Sequence, residues 1–272
     1  PGDQDAAEYL YNLHESEKNW DGLIRILGAH IDESSYSGLR LYLSQALYHH
    51  GEYLKAKETL QPLLQLPPFA VDAYTLLAQI ELSENSLDAA RTSFHKLTEL
   101  EPWNSRPWIF LSTLYVQEQK YKAGMEVLEE GLTNHPNNEQ MLSLYGYTLE
   151  RLNRNEEAIA ALRKAYNLNP QNLNTVASLG TIYDRQHQFE ELDSLYSSSL
   201  RTFPDNSLIL NNYAYSLAER AIHLDKALEM GLKALSVDPD NTAYLDTVGW
   251  IYYKLARYEL ALEHIGRAVN EL

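Results

Sequence analysis

Apolar residues recur along the chain with a helical period, in paired blocks. Leu245, Val248, Gly249 and Tyr252 fall at i, i+3, i+4 and i+7, on one face of a helix, and Ala261, Ile265 and Ala268 mark the inner face of a second. Ala256, Arg257 and Tyr258 between them leave room for a tight turn. Earlier in the chain the same places hold Leu142, Tyr145, Gly146 and Leu149, followed by Ala158, Leu162 and Ala165. A glycine or alanine at the fourth offset lets the second helix approach the first, because a larger side chain would hold the two backbones apart. The pattern predicts helix pairs packed face to face.

Prolines set the period of those pairs. Pro68, Pro102, Pro136, Pro170, Pro204 and Pro239 are spaced 34, 34, 34, 34 and 35 residues apart. Proline lacks the backbone N–H and clashes with the preceding turn, so its recurrence punctuates each unit at the same joint. Asparagine or aspartate follows most of these prolines within two residues, as in Asp240-Asn241, and these are turn formers and helix N-caps. At 34 residues per unit the 272-residue chain has room for eight: about 3–36 (degenerate), 37–70, 71–104, 105–138, 139–172, 173–206, 207–241 and 242–272. The extra residue of the unit at 207–241 is expected in the turn near Ala221 to Leu224.

These residues resemble the tetratricopeptide repeat (TPR) family, whose pattern is W-x2-L-G-x2-Y, then A-x3-F, then P. Trp108, Leu111, Ser112, Tyr115 and Pro136 carry it in one unit, and Leu179, Gly180, Tyr183, Tyr196 and Pro204 in another. The resemblance spans essentially the whole chain. Departures are Glu81 where tyrosine is usual, Leu192 for the small residue of a second helix, Ser44 for the small residue of a first, and Gly124 and Gly131 within one second helix. It implies an all-α fold, a right-handed superhelical solenoid of about eight antiparallel helix pairs forming one array over residues 1–272.

In that fold one row of first-helix side chains faces a continuous groove, and the family uses the groove to bind peptides or proteins. The implied function is a non-catalytic interaction scaffold or adaptor; the alternative is the substrate-recruiting arm of a larger enzyme or an envelope protease adaptor. Groove positions in the C-terminal half include Tyr147, Arg151, Arg185, Asn211, Tyr215, Asp246, Trp250 and Tyr253, with Glu150, Asp184, Glu219 and Lys254 beside them. The Asn211 amide suits a peptide backbone, while the aromatic rings offer rigid apolar contact at low entropic cost. The equivalent N-terminal positions, such as Leu41, Tyr48, Leu82 and Ile109, are more apolar. TPR domains that hold the acidic tails of heat-shock chaperones use a clamp of Lys, Arg and Asn. Here the fifth places hold Leu41, Thr75, Ile109, Ser143 and Ala177, so the resemblance does not extend to that role. The runs Asn211 to Ala218 and Ala243 to Tyr253 resemble the closing repeats of bacterial TPR proteins, including exported lipoprotein adaptors.

Composition narrows the choice of partner. Thirty-eight acidic against 22 basic residues give a formal charge of −16, the wrong sign for neutralising a phosphate backbone, so a protein partner is expected and nucleic acid is not. The acidic pairs Glu129-Glu130, Glu156-Glu157 and Glu190-Glu191 are expected to face water on second helices. No cysteine is present, which removes disulfides and thiolate chemistry. No apolar run approaches the roughly 18–20 residues of a bilayer span, so no direct membrane insertion is expected. The nine histidines are scattered except for His49-His50 at a helix end, and no HExxH, GxSxG, GxGxxG or P-loop pattern occurs. No catalytic residue, metal or cofactor is therefore expected. Pro1 is not expected to be the native start, which leaves room for a lost signal or lipid anchor, with either bacterial cytoplasm or envelope as the compartment. The last unit stops at Leu272 without a capping helix. The chain is thus expected to continue, or its end to be covered, and Leu260, Ala261, Ile265 and Ala268 suit contact with a second copy.

Overall fold

The computed structural model describes residues 2–31 and 37–270, and among these it contains helices and no strands. Two compact units divide the chain, Pro1–Pro136 and Asn137–Leu272. The first holds α1 (Gly2–Glu17), α2 (Trp20–His30), α3 (Leu39–His50), α4 (Tyr53–Leu60) with a 3-10 extension (Gln61–Gln65), α5 (Pro67–Ser83), α6 (Leu87–Leu100), α7 (Ser105–Gln117) and α8 (Tyr121–Asn134). The second holds α9 (Glu139–Arg151), α10 (Asn155–Leu168), α11 (Leu173–Arg185), α12 (Phe189–Thr202), α13 (Ser207–Glu219), α14 (Leu224–Val237), α15 (Thr242–Lys254) and α16 (Tyr258–Asn270). Residues 32–36 of the degenerate first repeat lie outside the described residues.

Within the second unit each first helix packs on its own second helix and on the first helix of the next pair, so α9, α11, α13 and α15 run side by side. The small residues sit where the periodicity puts them. A Cβ on Gly146 would meet the Leu162 side chain and, at 3.2 Å, the Ala158 carbonyl oxygen; one on Gly249 would meet Ile265 Cγ1 at 2.6 Å. Leu142, Leu149, Ala158, Leu162 and Ala165 are buried around the first of these contacts, and Leu245, Val248, Ala261 and Ala268 around the second. Burying each leucine contributes roughly 1.5–3 kcal/mol, far more than the helical propensity of any single residue.

In the first unit the departures from pattern are absorbed locally. Ser44 is fully buried and its hydroxyl donates to the Arg40 carbonyl at 2.7 Å, so serine serves as the small residue with its polar atom satisfied. Glu81 is buried and accepts from Ser93 Oγ at 2.6 Å. Pro68 differs in place from the later prolines. It stands in the first turn of α5, where a missing N–H removes no helical bond, whereas Pro102, Pro136, Pro170, Pro204 and Pro239 lie between helix pairs. His49 stacks on Trp20 with centroids 4.6 Å apart, and His50 lies 3.0 Å from Asp21 and 3.2 Å from Glu52. Among the described residues no group of three or more His, Asp or Glu is placed to hold a metal ion.

Two devices build the joints. From α7 onward each first helix is entered through an asparagine: Asn104, Asn138, Asn172, Asn206 and Asn241 accept first-turn backbone N–H groups, with Asn206 Oδ1 taking the Ile209 N–H at 3.0 Å. Within a pair, from α5 onward, the chain turns through one left-handed residue: Asn85, Gln119, Asn153, His187, Ala221 and Ala256 all have φ between 51° and 60°. The connection after α13 has four residues, Arg220 to His223, and contains a second left-handed residue, His223 at φ 49°. The extra residue of the 35-residue repeat is thus in the turn, as expected. Arg220 anchors that turn: its guanidinium donates to both Asp193 oxygens at 2.6 and 3.1 Å and lies 4.8 Å from the Phe189 ring centroid.

Candidate functional site

The second unit has a cavity of about 540 Å³ between α11, α13 and α15. Arg185 contributes from α11, Asn211 and Tyr215 from α13, and Asp246 from α15, so four of the eight groove residues read from the sequence converge there. They do so because the three first helices lie side by side and each residue sits on the same face of its helix. Asn211 is the unusual member. It is only 6% exposed, its Nδ2 reaches Asn212 Oδ1 at 3.5 Å, and its Oδ1 is buried without a hydrogen-bond partner. An unmet acceptor of this kind costs of order 1–3 kcal/mol.

The charged residues around it are mutually arranged. Arg185 donates to Glu150 Oε1 at 2.7 Å, and Glu150, on α9, is buried. Asp184 accepts a hydrogen bond from Ser216 Oγ. Tyr215 stands half in solvent. Burial, followed by the charges of Glu219, Asp184 and Asp246, pushes its phenol above the ordinary range.

Trp250 and Tyr253 form a separate aromatic surface on α15. Their rings stack with centroids 5.3 Å apart and an interplanar angle of 12°, and Lys254 Nζ lies 4.6 Å from the Trp250 ring. Trp250 Nε1 donates to Glu219 Oε1 at 2.5 Å, tying this surface to α13. Tyr147 is half-buried and Arg151 exposed on α9, and neither lines the cavity.

Sequence reasoning did not include Tyr196 in the site. This residue comes from the second helix α12, is buried, and lines the cavity. Its hydroxyl fits directly over Gly180, where any Cβ would collide with it. Burial, with a smaller effect from Asp184, drives its phenol pKa far up, so it stays protonated at any physiological pH. A glycine on a first helix followed by an aromatic on its second helix was the available signal. Ser216 and Thr181 also line the cavity and were not among the expected residues.

The family model for the N-terminal TPR repeats region of Psidin matches residues 112–248, about half of the chain. The chain belongs to the TPR family. A second TPR model matches residues 41–102, so both units carry the signature. A TPR repeat-containing protein of Pseudomonas aeruginosa is 27% identical over 132 residues, which cover 47% of this chain and 22% of the relative. A TPR protein from Parabacteroides merdae has the same fold, with a TM-score of 0.65 over 86% of this chain and 93% of its own at 14% identity. YrrB, whose structure is described as a TPR protein with an unusual peptide-binding site, covers 65% of this chain and 91% of its own with a TM-score of 0.52 at 18% identity. The chain spans less than two fifths of the length of the curated relatives compared with it. TPR proteins are in general protein-interaction scaffolds, and the fold is typical of non-catalytic ones. No helix among the described residues is long and apolar enough to cross a membrane.

Proposed function

We propose that this chain is a non-catalytic adaptor whose second unit holds an extended segment of another protein across α11, α13 and α15. The observation that carries this reading is Asn211, an amide with an unmet acceptor lining a cavity of about 540 Å³. An extended segment supplies the backbone N–H that this acceptor lacks. The exposed faces of Tyr215, Trp250 and Tyr253 supply apolar contact on either side of the segment's path. YrrB, a TPR protein with a peptide-binding site, gives the reading a precedent in the fold.

Site-specific photocrosslinking tests it. A benzophenone side chain is placed at Tyr215, and for comparison at Leu232, an exposed residue of the second helix α14. Crosslinks to protein segments are expected from position 215 and not from 232, and Asn211→Ala is expected to weaken them by about tenfold. Crosslinks from 232 alone would place binding on the other face and end the proposal.

A further inference from the structure

We infer that the cavity between α11, α13 and α15 receives a basic side chain, lysine or arginine, of the bound segment. The inference rests on the groove reading above and adds to it which residue the segment must carry.

The argument is one of donor and acceptor balance. Among the described residues lining the cavity, Arg185 is the only cation, and its guanidinium is already engaged with the buried Glu150 carboxylate at 2.7 Å. Among the remaining lining residues, three carry acceptors with room for a donor. Asn211 Oδ1 meets none. Asp246 is exposed and lines the same space. Asp184 accepts from a single hydroxyl, that of Ser216, and Glu219, outside the lining, accepts from the Trp250 indole. A carboxylate has about four acceptor sites, so both retain capacity.

Tyr215 lines the cavity beside Asp184 and Asp246. The charges of Glu219, Asp184 and Asp246 all act on the Tyr215 hydroxyl, and all disfavour its ionisation. A neutral aromatic ring sharing a cavity with two carboxylates is a favourable seat for a cation, which gains from the ring face and from the charges together. An ammonium brings three donors and a guanidinium five, and neither brings an acceptor, which suits the open acceptor sites of Asp184 and Asp246. An acidic side chain would meet Asp184 and Asp246 as like charges, and an apolar one would bring those carboxylates no donor.

The test selects random-sequence peptides displayed on phage against the whole chain, then measures the selected peptides by fluorescence anisotropy. The expected result is a shared lysine or arginine whose replacement by glutamine weakens binding to the wild type by about tenfold. Against Asp246→Asn, at an exposed position, the same replacement is expected to weaken binding by about threefold or less, because the more accessible of the two lining carboxylates has lost its charge. Selected peptides without a shared basic residue, or an equal loss on wild type and Asp246→Asn, overturn the inference. In that case an Asn211→Ala variant that still weakens every peptide by about tenfold leaves the groove reading standing. If Asn211→Ala changes nothing, or no peptide is selected, both fall together.

Discussion

Single residues here depart from the repeat pattern, and each departure has a local physical answer. Glu81 is the clearest. Burial lifts its carboxyl above the ordinary value of 4.5, against the smaller opposing effects of the Ser93 hydroxyl and the Lys57 charge. A carboxyl with a raised folded-state pKa favours folding in its protonated form. That contribution is complete below the unfolded value and is lost as pH rises through the folded one. Glu81→Gln keeps an acceptor for Ser93 and carries no charge, so it is expected to unfold at a higher urea concentration than the wild type at pH 7. The gap should close as the pH is lowered to about 4.5. A glutamine variant less stable than the wild type at neutral pH would show that the Ser93–carboxylate bond outweighs the burial penalty. The position was legible in the sequence as an exception, but its partner was not. Ser93 lies on the second helix, and only the packing of α5 on α6 brings the two together.

At the scale of elements, first and second helices start differently. First helices from α7 onward begin with a side-chain cap; α6, α8, α10 and α12 have none, and follow directly from the left-handed turn. Asn206→Ala is therefore expected to lower stability by about 1 kcal/mol and to speed hydrogen exchange of the first-turn amides of α13, with Asn206→Ser recovering most of the loss. Unchanged exchange at Ile209 would refute the cap's importance. Because α13 carries both Asn211 and Tyr215, this variant also asks whether the site depends on how that helix is entered. Much of this level was readable in advance. The apolar offsets placed Gly146 against Leu162 and Gly249 against Ile265, and the asparagines after the prolines marked the caps. The cavity was readable only in part. Counting offsets along a first helix finds Arg185, Asn211, Tyr215 and Asp246, but takes each first helix in isolation. It therefore overlooks Tyr196, whose hydroxyl takes the space Gly180 leaves, and it includes Tyr147 and Arg151, which stand on α9 outside the cavity lining.

For the molecule as a whole, the excess of acid is the dominant fact. A formal charge of −16 sets like charges against one another over the whole chain, while exposed pairs such as Arg154 with Glu157 return little. Raising sodium chloride from about 20 to about 200 mM shortens the Debye length from roughly 20 to 7 Å and should weaken the repulsion more than these contacts. The thermal midpoint is expected to rise by about 2–4 °C. A midpoint that falls with salt would mean that the attraction lost at solvent-accessible ion pairs, such as Arg154 with Glu157, outweighs the relief of the net repulsion. The expected exposure of Glu129-Glu130, Glu156-Glu157 and Glu190-Glu191 on second helices matches their position in the structure. The division at Pro136 had no distinguishing mark in the sequence, since that proline sits in the same spacing as its neighbours and the packing on either side decides where the chain separates.

The left-handed residue inside each pair carries a consequence for how such a chain changes over time. Cutting at Asn153 and rejoining at His187 would remove α10 and α11, one repeat's length, and bring together two ends already in the same backbone conformation. Duplication or loss of a block thus needs no new joint, only flanking faces that fit. His223 shows that a slip of one residue is also survivable, taken up by a second left-handed step before the next helix begins. Gene rearrangements that ignore the ends of helices but respect these steps would be the ones tolerated.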